Sequence, residues 1–104
     1  MVKLEYTKTA FTDLKSIRKS IAEDSVHYAK LSIIELRNKI EVLKVNPETG
    51  KLIYPDKYQH LRQLLHKSYY IIYYFENNKV TIITVHHQSR LHENMNVNNQ
   101  LKTH

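Results

Sequence analysis

The 104-residue chain has no cysteine and no tryptophan, one glycine and two prolines. Without cysteine there is no disulfide framework, no thiolate zinc site and no thiol nucleophile. One glycine excludes a Gly-rich phosphate loop, a collagen-like repeat and a flexible linker. No run approaches the ~20 apolar residues of a membrane span. Met1 to Ala10 carries two lysines and a glutamate with no uninterrupted apolar stretch. It does not read as a signal peptide, so the expected location is the cytoplasm, with no membrane partner. Hydrophobic residues make up 41% and charged residues 25%, a globular composition. The length suits one domain, residues 1–104.

Positive charge is what the sequence has in excess. Sixteen Lys+Arg stand against ten Asp+Glu, a formal net charge of +6 and a pI near 9.5, which favours an acidic partner. The bias lies in the second half: residues 1–50 carry a net of +2, residues 51–92 a net of +4 with five histidines besides.

Val2, Leu4 and Tyr6 alternate with polar residues, which predicts a short strand. Thr7 or Thr9 can cap a following helix whose stripe is Phe11, Leu14, Ile17 and Ile21. Asp24 or Ser25 can cap a second helix, in which Val26, Ala29, Ile33, Leu36, Ile40 and Leu43 recur at 3-4 spacing and which Pro47 ends. Three residues join the two helices into an antiparallel hairpin. Leu31, Ile34, Val42 and Val45 form a second apolar row, which either covers the sheet or lies open as a groove for a partner.

A loop over 48–57 precedes three strands: His60–Leu65, Tyr69–Phe75 and Val80–His86. Asn77-Asn78 suits a two-residue hairpin turn, because asparagine tolerates positive φ. In the middle strand Tyr69, Tyr73 and Phe75 share one face, and Tyr70 and Tyr74 the other. The two faces of Ile82–His87 are equally apolar, so periodicity leaves them unassigned. Beyond Arg90 the chain is polar and Asn-rich, with a frayed tail expected over about 93–104. The expected fold is α+β: an N-terminal strand, then an antiparallel helical hairpin packed on an antiparallel sheet, in the order β-α-α-β-β-β.

Adjacent His86 and His87 point to opposite strand faces and cannot share an ion, and no metal site or cofactor is expected. Ser/His/Asp catalysis and a paired-carboxylate site have no support. What remains is a basic, aromatic set: Arg62, Lys67, Tyr70, Tyr74, His87 and Arg90. Arginine and lysine suit phosphate, tyrosine stacks on bases, and histidine exchanges protons near neutral pH. Each has a plainer role too: Arg62 as an ion-pair partner of Asp56 or Glu76, His87 as a hydrogen-bonded strand end.

Leu61-Arg62-Gln63-Leu64, Tyr69-Tyr70-Ile71-Ile72-Tyr73 and Val85-His86-His87-Gln88-Ser89-Arg90, behind a hairpin ending in Asn46-Pro47-Glu48-Thr49-Gly50, resemble in order and spacing the RelE/ParE superfamily of toxins from type II toxin–antitoxin systems. The resemblance covers nearly the whole chain. It implies a plasmid-stabilisation type of toxin that inhibits growth. Its partner would be a cognate antitoxin, whose acidic, partly disordered segment folds onto the toxin and covers Leu31, Ile34, Val42 and Val45.

Two mechanisms follow from the resemblance. ParE-like members poison DNA gyrase without a catalytic set. RelE-like members are ribosome-dependent mRNA endoribonucleases, for which Arg62 and Arg90 would hold the phosphate and His87 would move the proton. In either case Lys67, Tyr70 and Tyr74 are the expected target or nucleic-acid contacts. Tyr70 where RelE-like chains carry arginine, Ser89 before the final arginine, and no tyrosine after Arg90 lean towards ParE. A nucleic-acid-binding module without toxicity is the remaining alternative.

Overall fold

The structure, a computed structural model, describes residues 2–89. Arg90 and the tail expected over 93–104 lie outside the described residues. The elements run β1 (Lys3–Tyr6), α1 (Lys8–Ala22), α2 (Val26–Glu41), a 3₁₀ turn (Val42–Lys44), β2 (Lys51–Leu52), β3 (Leu61–His66), β4 (Tyr69–Glu76) and β5 (Lys79–His87). They form one sheet in the order β1-β5-β4-β3-β2. The β2-β3-β4-β5 portion is antiparallel, whereas β1 pairs parallel with β5. The helical hairpin carries the chain from β1 at one edge of the sheet to β2 at the other, and the meander then returns to place β5 beside β1.

Thr7 makes the strand-to-helix junction. Its N–H donates to Ile82 O at 3.0 Å, its hydroxyl donates to Ile83 O at 2.7 Å, and the same oxygen accepts the Ala10 N–H at 3.0 Å. Ser25 caps α2 by accepting the Tyr28 N–H at 3.1 Å. Each cap supplies an acceptor for one of the unpaired N–H groups in the first helical turn.

Ala10, Leu14, Leu36, Ile40 and Leu43 form a continuous core with Leu64, Ile71, Tyr73, Val80, Ile82 and Val85 of the sheet. Val2, Leu4 and Tyr6 pack against its rim, as their alternation predicts. Two stripe residues expected inside are outside: Phe11 is exposed and meets the Tyr6 ring at 5.3 Å, and Val26 is exposed in the first turn of α2. The small Ala10 takes the buried place on α1.

Regular helix stops at Glu41, six residues before Pro47, and tightens into the 3₁₀ turn. A shortened last turn is a common way to satisfy the terminal carbonyls. The expected loop over 48–57 contains the two-residue β2, and β3 runs one residue later than the pattern indicated. A register shift at Ile72/Tyr73 puts Ile72 opposite Thr84 and Tyr73 opposite Ile82, leaving Ile83 as an extra residue. Such a bulge moves the inward parity by one. It brings Val80, Ile82 and Val85 all into the core and explains why β5 shows two apolar rows. Asn77 (φ 54°) and Asn78 (φ 60°) form the expected positive-φ turn.

Candidate functional site

Arg62, Leu64 and His66 stand on the helix-covered face of β3, opposite Tyr73, Ile71 and Tyr69. Arg62 donates to Gly50 O at 2.7 Å and Glu48 O at 3.2 Å, with the Glu48 carboxylate at 3.8 Å. Its ion-pair partner is therefore Glu48, not Asp56 or Glu76; Glu76 instead faces His60 at 3.3 Å. Beside Arg62, the buried Tyr73 hydroxyl donates to Pro47 O at 2.7 Å and accepts the Gly50 N–H at 2.8 Å. Burial pushes the Tyr73 phenol above its ordinary pKa, against smaller opposing effects of the Gly50 N–H and Arg62. Two side chains thus fasten the segment from Pro47 to Gly50 to the sheet. Gly50 is required by close approach, since a Cβ there would lie 2.6 Å from the Tyr73 ring.

At the other end of the sheet, His87 and Tyr69 meet edge-on at 5.2 Å, and the His87 Nδ1 lies 2.8 Å from the Ser89 hydroxyl. A cleft of about 200 Å³ opens there between Tyr28, Ser32 and Glu35 of α2 and His66, Lys67, Tyr69 and His87 of the sheet. Lys67 donates to Glu35 at 2.5 Å. That bond lowers the Glu35 pKa and raises that of Lys67. Both groups are exposed, so the pair adds little to stability. The His66 Nε2 is buried with no hydrogen-bond partner among the described residues, 3.9 Å from Glu35.

Tyr70 and Tyr74 occupy the opposite face of the sheet. Tyr70 pairs with Leu65 and His86, Ile72 with Gln63 and Thr84, and Tyr74 with Leu61 and Thr81. These residues form a half-covered surface of mixed aromatic, aliphatic and polar side chains on the side away from the helical core. Lys3 and Lys79 border its lower end, around the Asn77-Asn78 turn.

The residues singled out from sequence and described by the structure are thus divided among four places. Arg62 and His87 are on the helix side at opposite ends of the sheet, Tyr70 and Tyr74 are on the far side, and Lys67 is in the β3–β4 turn. The α2 row is open: Leu31, Ile34, Val42 and Val45 are 44%, 45%, 46% and 70% exposed. It does not cover the sheet, contrary to one of the two readings of the sequence.

Two features lie outside the residues that the sequence pattern singles out. The Asp13 carboxylate accepts the Val85 N–H at 3.0 Å and the Thr84 hydroxyl, and Thr84 in turn contacts His86. Asp13 thereby closes the edge of β5 beyond the last β1 pairing at Tyr6–Ile82; in sequence it is one more polar helix residue. The other is a pair of exposed tyrosines, Tyr54 and Tyr58, flanking Pro55-Asp56-Lys57. Two aromatic residues inside a polar loop were the signal available for them.

A family model for the ParE toxin of type II toxin–antitoxin systems, parDE, matches residues 4–92. Among solved structures, a chain described as the chromosomal ParDE toxin–antitoxin system from P. aeruginosa superposes with a TM-score of 0.69. The match covers 84% of this chain and 96% of that one at 17% identity, a likeness of fold. No curated protein matches in sequence.

Proposed function

This chain belongs to the ParE toxin family of type II toxin–antitoxin systems, and from that premise we propose that it arrests growth by binding DNA gyrase rather than by cutting RNA. As the toxin component it has a cognate antitoxin as its partner. The observation that carries the non-catalytic reading is the separation of Arg62 from His87. Tyr73 and Tyr69, their respective partners on β4, are four residues apart. Along the strand that is about 13 Å, and two strand spacings add about 10 Å across the sheet, so the two backbones are about 16 Å apart. Arg62 is moreover tied back to Glu48 and Gly50. A phosphate held by Arg62 is out of reach of His87, and phosphate cleavage needs base and cation on the same group. Lys67, which shares the His87 cleft, is engaged by Glu35, and Arg90 lies outside the described residues.

The surfaces suit binding instead. Tyr70, Ile72 and Tyr74 offer an aromatic, hydroxyl-edged face to the target, and Lys67, in the turn at its end, reaches over to Glu35 on the helix side. The α2 row is the seat of the antitoxin segment: Leu31, Ile34, Val42 and Val45 have apolar area still to bury, and Lys30, Arg37 and Lys44 nearby favour an acidic peptide. Among the described residues no helix is long and apolar enough to cross a membrane. We place the action in the cytoplasm, where gyrase is found.

The test is tight induction in a bacterial host, with labelled thymidine and methionine followed over the first minutes. Early loss of thymidine incorporation, reversed by co-expressed antitoxin, is expected. Early loss of methionine incorporation with DNA synthesis intact would transfer the toxin to the translation-targeting branch.

A further inference from the structure

Among the described residues, the loop from Ile53 to His60 holds the one positive-φ position that the hairpin turns do not explain. Among the described residues, four non-glycine residues have positive φ: Tyr54 (50°), Lys67 (54°), Asn77 (54°) and Asn78 (60°). The last three lie in the two hairpin turns, whose geometry calls for it. Tyr54 lies in neither, and a bulky residue at positive φ is a true outlier. Pro55 follows it and removes the right-handed helical alternative.

The conformation is held firmly. The Tyr54 carbonyl accepts the N–H groups of Lys57 at 2.9 Å and Tyr58 at 2.8 Å, and the Ile53 N–H donates to Leu61 O at 3.0 Å. Upstream, the Tyr73 and Arg62 bonds to Gly50 fix the approach. The result is an aromatic tip on a rigid base. Tyr54 is 62% exposed, Tyr58 41%, and the Lys57 ammonium lies 5.4 Å from the Tyr58 ring centre. The base adjoins the open sheet face, because the His60 ring meets Tyr74 at 5.6 Å.

Stability accounts for neither feature. Glycine or asparagine at position 54 would relieve the backbone, and a polar side chain would suit the solvent. Strain that persists where the fold does not need it is characteristic of functional positions. Rigid, exposed tyrosines are also the residue type that dominates protein interfaces. Lys51 and Lys57, with Asp56 between them, are too sparse a charge for a nucleic-acid groove.

We infer that the Tyr54–Tyr58 loop is the tip by which this toxin docks on its target protein, the two rings entering an apolar recess whose acidic rim meets Lys51 and Lys57. The inference rests on the reading of the chain as a toxin that acts by binding a protein. It extends the surface around Tyr74 and leaves the α2 row to the antitoxin.

The experiment uses the full chain, purified with its antitoxin and released, as wild type, Tyr54→Asn and Tyr54→Gly; both substitutions fit the left-handed backbone. Growth inhibition on induction, binding to purified gyrase, antitoxin Kd and thermal midpoint are measured. Both variants should lose at least tenfold in growth inhibition and gyrase affinity, with antitoxin Kd within twofold and a midpoint no lower than wild type. Unchanged growth inhibition overturns the inference, as does an equal loss of antitoxin affinity, which would make the antitoxin the occupant. If wild type leaves gyrase untouched while the variants still lose growth inhibition, the gyrase reading fails and the docking tip stands. If wild type and variants inhibit gyrase equally, the tip fails and the gyrase reading stands.

Discussion

Replacing Tyr73 with phenylalanine removes a single oxygen that serves two backbone groups from the centre of the sheet. The ring is fully buried, and its hydroxyl donates to Pro47 O at 2.7 Å while accepting the Gly50 N–H at 2.8 Å. Gly50 is itself buried, so its N–H is left without a partner, at a cost of about 1–3 kcal/mol. Pro47 is only half-buried, and water replaces part of its lost bond, which limits that share to about 0.5–1.5 kcal/mol. The sum is about 1.5–4.5 kcal/mol, a drop in thermal midpoint of roughly 7–20 °C for a domain of this size. Urea unfolding of wild type, Tyr73→Phe and Tyr70→Phe gives the comparison; the Tyr70 hydroxyl makes no hydrogen bond among the described residues, and its loss should cost under about 0.5 kcal/mol. The same residue sets a pH dependence. Burial raises the folded pKa of Tyr73 above its ordinary 10.0. Its contribution is therefore fully present below pH 10 and lost as pH rises through the folded value. The gap between wild type and Tyr73→Phe should narrow above that point. A loss under about 0.5 kcal/mol at neutral pH, or a gap that widens in alkali, would refute the clamp.

Other substitutions test the remaining contacts. Gly50→Ala drives a methyl group to 2.6 Å from the Tyr73 ring and should cost about 1–3 kcal/mol in urea unfolding, because the fully buried ring is not free to retreat. Asp13→Ala leaves the Val85 N–H at the sheet edge without its acceptor and should cost about 1–2 kcal/mol by the same assay. Ile34→Asp should weaken antitoxin binding tenfold or more by calorimetry, since about 1 kcal/mol of remaining burial is lost and a charge enters the contact. At 45% exposure the same change should leave the thermal midpoint of the free toxin nearly unaltered.

Elements that declare themselves by local periodicity were legible in the sequence. The two caps, the aromatic central strand and the Asn77-Asn78 turn each depend on a few neighbouring residues, and each is present as read. Decisions made across the chain were not legible. Phe11 and Ala10 both fit a helical stripe, and only the distance between α1 and β5 selects the smaller one. The extra residue Ile83 is set by pairing with β4, so the two apolar rows of β5 could not be sorted by counting. β2 spans two residues, too few for any period.

The site was legible in its residue types more than in its arrangement. Arg62, His87, Tyr70 and Tyr74 all stand on the sheet, but strand register assigns them to two faces and two ends. The partner of Arg62 depended on how the Pro47–Gly50 segment folds back, which brings Glu48 closer than either Asp56 or Glu76. The α2 row shows in the sequence as apolar, but that it does not cover the sheet depends on how the hairpin packs.

The central claim is that this member of the ParE toxin family acts by binding gyrase and needs no catalytic set. The most direct measurement mixes purified toxin, freed from its antitoxin, with purified gyrase and relaxed plasmid, and follows supercoiling as the toxin is titrated. The account predicts that supercoiling stops, that added antitoxin restores it, and that His87→Ala inhibits as well as wild type. Full supercoiling at every toxin ratio, with the same toxin cutting mRNA on ribosomes in a His87-dependent way, would contradict it.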